Sequence, residues 1–195
     1  MALDVLPQKI LDSYEVHEWR HAGVILKHDF PAEFDDIVDA LAGFQLLRSE
    51  VTAAGKNKSP IASRLDSVLY AKGWVEKSFA TSIVVDGVVM DSPTHKVDCF
   101  KNRVAVEMEW NNKDPFYDRD LNNFRLLFEL RAISVGVIIT RCSSLQAIFD
   151  SLGKGKSYGN STTHMNKLLP RVQGGGGGGC PLLVFGISDE LYVED

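Results

Sequence analysis

Cysteine is scarce in this sequence. The three present, Cys99, Cys142 and Cys180, are an odd number without the spacing of a metal site. That fits three reduced thiols, buried as small apolar side chains, better than a disulfide framework. A run of roughly 18 apolar residues, the length that crosses a bilayer, is also missing. The stretch MALDVLPQKILDSYEVHEW has neither a basic start nor an apolar segment of the secretory kind. The expectation is a soluble, intracellular, cytoplasmic protein with no membrane partner. Basic charge is in deficit, with a net charge of −5, which argues weakly against a nucleic-acid partner without excluding one. Nucleophile elbows, Walker loops and dinucleotide fingerprints are absent. SLGKGKSYG, from Ser151 to Gly159, imitates a phosphate loop but has the wrong spacing and no preceding strand. His17, His21 and His28 lack carboxylates at metal-site spacing, and no internal repeat is visible.

What is present suits one compact α/β domain: 195 residues, 45% apolar and 24% charged, enough to bury a core. PAEFDDIVDALAGFQLL repeats apolar residues at helical spacing from Pro31 to Leu47. EVTAAGKNK then reads as a mobile polar loop. SPIASRLDSVLYAKGW starts a second helix, with Ser59 as N-cap, Pro60 at its first position and Gly73 as its stop. Asp86-Gly87 between β-branched runs signals a hairpin. Asp114 caps a helix that runs to about Arg131 with the stripe Leu121, Phe124, Leu127 and Phe128. ISVGVIITR, from Ile133 to Arg141, is apolar nearly throughout, as a strand covered on both faces must be. Helices over about 144–152 and 161–169 and a last buried strand, Pro181 to Ile187, complete a mixed sheet sandwiched by helices. The hexaglycine Gly174 to Gly179 fits either a flexible loop or a bare backbone that approaches a ligand or DNA groove closely.

The chemistry lies in KVDCFKNRVAVEMEWNNKDPF. Strict alternation sends Val104, Val106, Met108 and Trp110 to one face and Ala105, Glu107 and Glu109 to the other. Carboxylates resist leaving water, so Asp98, Glu107 and Glu109 among Val, Met and Trp need a reason. Asp98 and Glu107, on neighbouring strands joined by a short turn, can converge on one hard cation such as Mg²⁺, with the backbone carbonyl of Met108 as a third ligand. Such an ion activates phosphoryl oxygens and water, and Glu109 would lie beside that water. The alternative is mundane: Asp98 pairs with Lys101 or Arg103, and both glutamates face solvent from an edge strand. His95 stands three residues before Asp98. Lys56, Lys58, Arg64, Lys154, Lys156, Lys167 and Arg171 could form a basic cluster apart from the acids.

The run VDCFKNRVAVEMEW, together with SPIASRLDSVLYAKGW before it and ISVGVIITR and GCPLLVFGI after it, resembles the type II restriction endonucleases of the BglII and BstYI group, with BamHI more distant. The likeness runs from about Ser59 onward and is slight in the first fifty residues. It implies a single restriction-endonuclease-like domain over 1–195, with a helical part to residue 58 and a catalytic core over 59–195. It further implies a Mg²⁺-dependent homodimer cutting palindromic double-stranded DNA around a GATC core to leave four-base 5′ overhangs, with a cognate DNA methyltransferase in the same cell. By resemblance Asp98 and Glu107 bind metal. Glu109, where BglII and BstYI carry Gln and BamHI carries Glu, orients or deprotonates the attacking water. A third carboxylate there favours either a second metal or a raised Glu109 pKa. Asn111, Asn112 and Lys113 fall where these relatives read the major groove, Arg119 and Arg125 become candidates for phosphate contacts, and the helix after Pro115 resembles one used for dimer packing. Two other readings stay open: a DNA-binding module of this fold that does not cut, and a structure-selective or repair nuclease.

Overall fold

The computed structural model describes residues 2–53, 59–91 and 94–195. In chain order its elements are α1 (Gln8–Ser13), β1 (Tyr14–Trp19), α2 (Ala22–Asp29), α3 (Pro31–Ala42), β2 (Leu46–Leu47), α4 (Arg48–Thr52), α5 (Pro60–Ala71), β3 (Val75–Lys77), β4 (Ser82–Val85), β5 (Val88–Asp91), β6 (Val97–Lys101), β7 (Val104–Met108), α6 (Phe116–Glu129), β8 (Val135–Arg141), α7 (Gln146–Ser151), α8 (Met165–Gln173), β9 (Leu182–Ile187) and β10 (Tyr192–Val193). Six strands form one mixed sheet in the order β1-β9-β8-β7-β6-β3. β7, β8 and β9 run parallel, and β1 and β6 pair antiparallel at either side.

The apolar run at β8 is central because both its faces are covered, and every residue in it is buried. On one face Val135, Val137 and Ile139 pack with Phe34, Ile37, Leu41, Ile61, Leu65 and Leu69. On the other, Ile138 packs with Tyr117, Leu121, Phe124 and Leu168 from α6 and α8. Each such side chain gains about 1.5–3 kcal/mol on burial. The layers are therefore helices, sheet, helices, as the alternation and the apolar runs imply.

Several boundaries move, for local reasons. α3 stops at Ala42, with Gly43 N making a closing helical bond to Asp39 O, and Leu46–Leu47 pairs parallel with β10 instead of continuing the helix. Ser59 caps α5 by accepting from Ile61 N, and Gly73 closes it at φ +87°. Asp86 and Gly87 both take positive φ between β4 and β5, as the hairpin requires. Of the polar loop expected after Leu47, Glu50 to Thr52 belong to α4, while 54–58, with Lys56 and Lys58, lie outside the described residues. The helix expected over 161–169 begins only at Met165, because Ser161 and Thr163 are spent on backbone bonds to Asp114 and Asn112. β1 is an element that the sequence did not announce, and it makes residues 14–19 an edge of the main sheet. All three cysteines are buried thiols.

The hexaglycine is a compact series of turns, not an extended spacer. Gly176 N bonds Arg171 O, Gly178 N bonds Gly175 O, and Cys180 N bonds Gly177 O. Its bare backbone does approach something closely, but that something is the chain itself. A Cβ on Gly177 would stand 2.5 Å from Leu182 Cδ1, and one on Gly178, at φ +57°, would stand 2.6 Å from Arg125 Cγ. Gly178→Ala should therefore cost about 1–3 kcal/mol through backbone strain and crowding, a fall of several degrees in Tm. Differential scanning fluorimetry reads it, and an unchanged Tm would contradict the packing described.

Candidate active site

β7 is an interior strand, so its glutamates cannot reach solvent sideways. Alternation places Ala105, Glu107 and Glu109 on the face covered by α6 and α8, where Ala105 packs with Tyr117 and Phe124. Glu107 is 1% and Glu109 2% exposed. Of the mundane alternative, the solvent-facing glutamates fail, since neither is solvated, and Lys101 is bound to Asp36 at 2.8 Å.

The two-residue turn at Asn102 and Arg103, both at positive φ, folds β6 back onto β7 in the register Cys99 to Val106. The same register sets Asp98 opposite Glu107. Each carboxylate reaches across to the neighbouring strand's backbone: Asp98 N donates to Glu107 Oε2 at 3.3 Å, and Met108 N donates to Asp98 Oδ2 at 3.3 Å. Glu107 Oε1 is buried with no hydrogen-bond partner. In a folded protein such an atom calls for an explanation, and an absent cation is one.

β7 ends at Met108, but Glu109 N still donates to Ile139 O, and Thr140 and Thr163 hydroxyls both donate to Glu109 O. The backbone at Glu109 is thus fixed from three sides. Its side chain accepts from Asn112 Nδ2 at 2.7 Å and from Arg119 Nη2 at 3.3 Å. Arg119 also bonds Asp120 at 2.8 Å and lies over the Phe116 ring at 4.2 Å.

Asp120 is the group that sequence reasoning missed. It is fully buried on α6, facing both glutamates, and a signal for it exists: it sits three residues after Tyr117 and four before Phe124, inside the buried helical stripe. A carboxylate there is as anomalous as Glu107. His95 is also near: Asn123 Nδ2 donates to its carbonyl at 3.0 Å, and its ring is held below the usual imidazole range by burial and by Arg119.

Four acids in so dry a space repel one another. Burial raises the Glu107 carboxyl well above its ordinary range, and the charges of Asp120 and Asp98 add to this. Burial and Asp120 push Glu109 up to about 9. Asp120 is raised too, by burial first. Asp120 Oδ2 has no donor unless the neighbouring Glu109 carboxyl carries a proton, and the pair is placed so that it can. A proton shared there is the raised Glu109 pKa expected from a third carboxylate.

The expected DNA-reading residues divide. Lys113 is exposed, and its backbone bridges to Thr162. Asn112 is turned inward onto Glu109, and Asn111 takes a left-handed φ of 59° with a buried, unpartnered Oδ1. Asp114 does not cap α6 through its side chain; it stands 3.7 Å from both Lys167 and Arg171. Arg125 bonds Asn122 at 2.8 Å. Of the described members of the basic cluster, Arg64 is bound to Glu50 at 2.8 Å and Arg171 to Asp118 at 2.8 Å. Among the described residues no helix is long and apolar enough to cross a membrane.

The acids stand at the carboxyl end of β7, where parallel sheets present their sites. The model of the restriction endonuclease family BglII/BglIII matches residues 14–187. The chain belongs to that family. The match takes in β1 and α2, so the family likeness begins well before Ser59, and the earliest strand is part of the shared fold. No curated protein matches the chain. The protein is accordingly a nuclease of the restriction type, acting on double-stranded DNA, with the mixed α/β fold that its sequence pattern implies.

Proposed function

We propose that the protein is a type II endonuclease that hydrolyses phosphodiester bonds in palindromic double-stranded DNA with Mg²⁺, around a GATC core and leaving four-base 5′ overhangs. The observation that carries the reading is the pair Asp98 and Glu107, interlocked across β6 and β7 with Glu107 Oε1 left unpartnered.

Among the described residues no three His, Cys, Asp or Glu side chains close a metal cage. An incomplete protein shell is nevertheless what Mg²⁺ takes, since it is held by one or two carboxylates with waters and phosphate oxygens completing the octahedron. Asp98, Glu107 and the Met108 carbonyl would supply the protein's share. When bound, the ion polarises the scissile phosphate and lowers the pKa of water.

The chain's own residues do the rest. Glu107 and Asp98 fix where the phosphate can sit. Arg119 neutralises part of the acidic charge, so that a phosphate can approach. Glu109 orients the attacking water, and to accept its proton it must first give up the one it shares with Asp120. Asn112 supports a link between recognition and chemistry: it is a candidate base reader and also the tightest partner of Glu109. Turning Asn112 to an adenine would release the Glu109 carboxyl. Lys113 is the exposed candidate for guanine, and Asn111 the third reader.

A palindromic site is met by a twofold homodimer. What supports pairing is the β4–β5 hairpin, whose Val84, Val88 and Val89 are 62–65% exposed, an apolar patch that a lone domain gains nothing by showing to water. A cytoplasmic location beside a cognate methyltransferase follows from the same reading.

The test is digestion of plasmid with Mg²⁺, with and without EDTA, followed by sequencing of the ends. Discrete fragments with GATC overhangs are expected; intact plasmid in Mg²⁺ and Mn²⁺ alike would favour a binding module. Sedimentation at micromolar concentration should give a dimer, and Val84→Asp with Val89→Asp a monomer; an unshifted species would remove the hairpin from the interface.

A further inference from the structure

One step along the sheet from Glu109, at the end of β8, lies a feature with the opposite charge. Thr140 faces α6 and bonds the Glu109 backbone, so the next residue, Arg141, turns to the other face. Arg141 is 1% exposed, and none of its recorded ion pairs or hydrogen bonds involves a carboxylate. Its Nη2 donates instead to Tyr158 O at 2.8 Å and to Thr162 Oγ1 at 3.0 Å. The guanidinium stands 5.3 Å from the Phe149 ring and 5.9 Å from Tyr158. Its Nε is buried with no partner. A buried cation without a counter-charge is costly, and burial accordingly draws the Arg141 pKa down to about 10.

Arg141 borders a cavity of about 410 Å³ whose other walls are Ser143, Gln146, Asn160, His164 and Asn166. No acid is among them. Of the acids nearby, Asp114 lies 3.7 Å from Lys167 and Arg171, and Asp150 stands behind the wall, accepting from Gln146 at 3.1 Å. The cavity opens at the start of α8, whose first turn carries positive partial charge. His164 Nδ1 and Ser143 Oγ share a hydrogen bond of 2.8 Å, and Ser143 Oγ accepts from Asn166 N. The cavity therefore combines a fixed guanidinium, amide and hydroxyl donors and a helix N-terminus.

From this geometry we infer that the Arg141 cavity is an oxyanion site for a tetrahedral phosphate group, held by Arg141 with Ser143, His164 and Asn166. With Nη2 held by Tyr158 O and Thr162 Oγ1, what Arg141 offers a phosphate is its unpartnered Nε–H and the charge of the guanidinium. Asn112 and Thr163 join the loop that precedes α8 to the β7 end, through Thr163 N to Asn112 O at 2.8 Å. The site is thus tied mechanically to the acidic one. Where the phosphate comes from DNA, the inference rests on the nuclease reading and makes Arg141 a backbone clamp beside the cutting centre; a free phosphate anion would satisfy the same donors.

The probe is inorganic phosphate, titrated into the full-length ¹⁵N-labelled protein. The Arg141 Nε–H and Asn166 amide resonances should shift saturably, at roughly millimolar affinity. Asn166→Asp, at an exposed position that leaves the fold alone, should weaken binding about tenfold or more by placing a like charge at the mouth. Arg141→Lys should do the same through loss of the Nε–H donor. A short duplex in Ca²⁺ that displaces phosphate from these resonances identifies a DNA phosphate; a duplex that binds without touching them identifies the free anion. If neither phosphate nor duplex moves the Arg141 resonance of the folded protein, the inference is wrong. Cleavage is not needed for any of this, so a protein that binds phosphate yet never cuts would sink the nuclease reading alone.

Discussion

Glu107→Gln should abolish DNA cutting and at the same time make the metal-free protein more stable. Loss of a ligand removes several kcal/mol of charge stabilisation at the phosphate, which is about a thousandfold or more in rate. The stability change follows from burial. Glu107 is 1% exposed, its Oε1 has no partner, and burial with Asp120 and Asp98 holds its pKa well above 4.5. As pH rises above the unfolded value, the unfolded chain releases this proton before the fold does, so the raised carboxyl costs the metal-free fold stability. An amide has no charge to lose, so the variant should melt several degrees higher in EDTA at pH 7. Below pH 4.5 both states of the parent are protonated, and the gain should vanish. Undiminished cutting would remove Glu107 from the site. A lower Tm at pH 7 would mean that the carboxylate is structural.

That exchange of stability for activity also explains how much of the site was legible. Glu107 and Glu109 stood out because alternation in RVAVEMEW assigned them a buried face, and burial is hostile to carboxylates. Asp98 followed from the short turn that had to return β6 beside β7. Asp120 was hidden because a helix interleaves its faces: DRDLNN looks like ordinary exposed helix until Tyr117 and Phe124 are seen to flank the acid on the buried side. Asn112 was named as a base reader, but its inward bond escaped for another reason. Its partner is Glu109, three residues back across a left-handed Asn111, and no periodicity announces a bond made through an irregular loop.

The fold divides in the same way. β8 and β9 were readable because strands covered on both faces need continuous apolar sequence. β1 was not: its Tyr14, Val16, His17 and Trp19 form an edge whose pairing with β9 runs across nearly the whole chain, and long-range pairing leaves little local trace. The hexaglycine misleads in the opposite sense. Glycine composition suggests slack, but here small size serves packing against Arg125 and Leu182.

The acidic cluster makes a second large prediction, this time in solution thermodynamics. Glu107, Glu109 and Asp120 all have pKa values raised in the metal-free fold, and Glu109 lies near 9. A raised carboxyl pKa contributes stability that is complete below the unfolded value near 4.5 and is lost as pH climbs toward the folded one. The metal-free protein should therefore lose stability steadily from about pH 5 to about pH 9, by up to about 1.4 kcal/mol per pH unit for each proton involved. A divalent cation reverses the preference, because its ligands must be deprotonated. Binding Mg²⁺ at pH 7 should accordingly expel about one to two protons per chain. Calorimetric titrations in PIPES and in Tris would differ in heat by that number times the difference in buffer ionisation enthalpy. Glu109→Gln should reduce the count by about one without abolishing metal binding, which Asp98 and Glu107 retain. Equal heats in the two buffers would mean that the acids are already ionised in the free fold, and the shared proton between Glu109 and Asp120 would have to be abandoned.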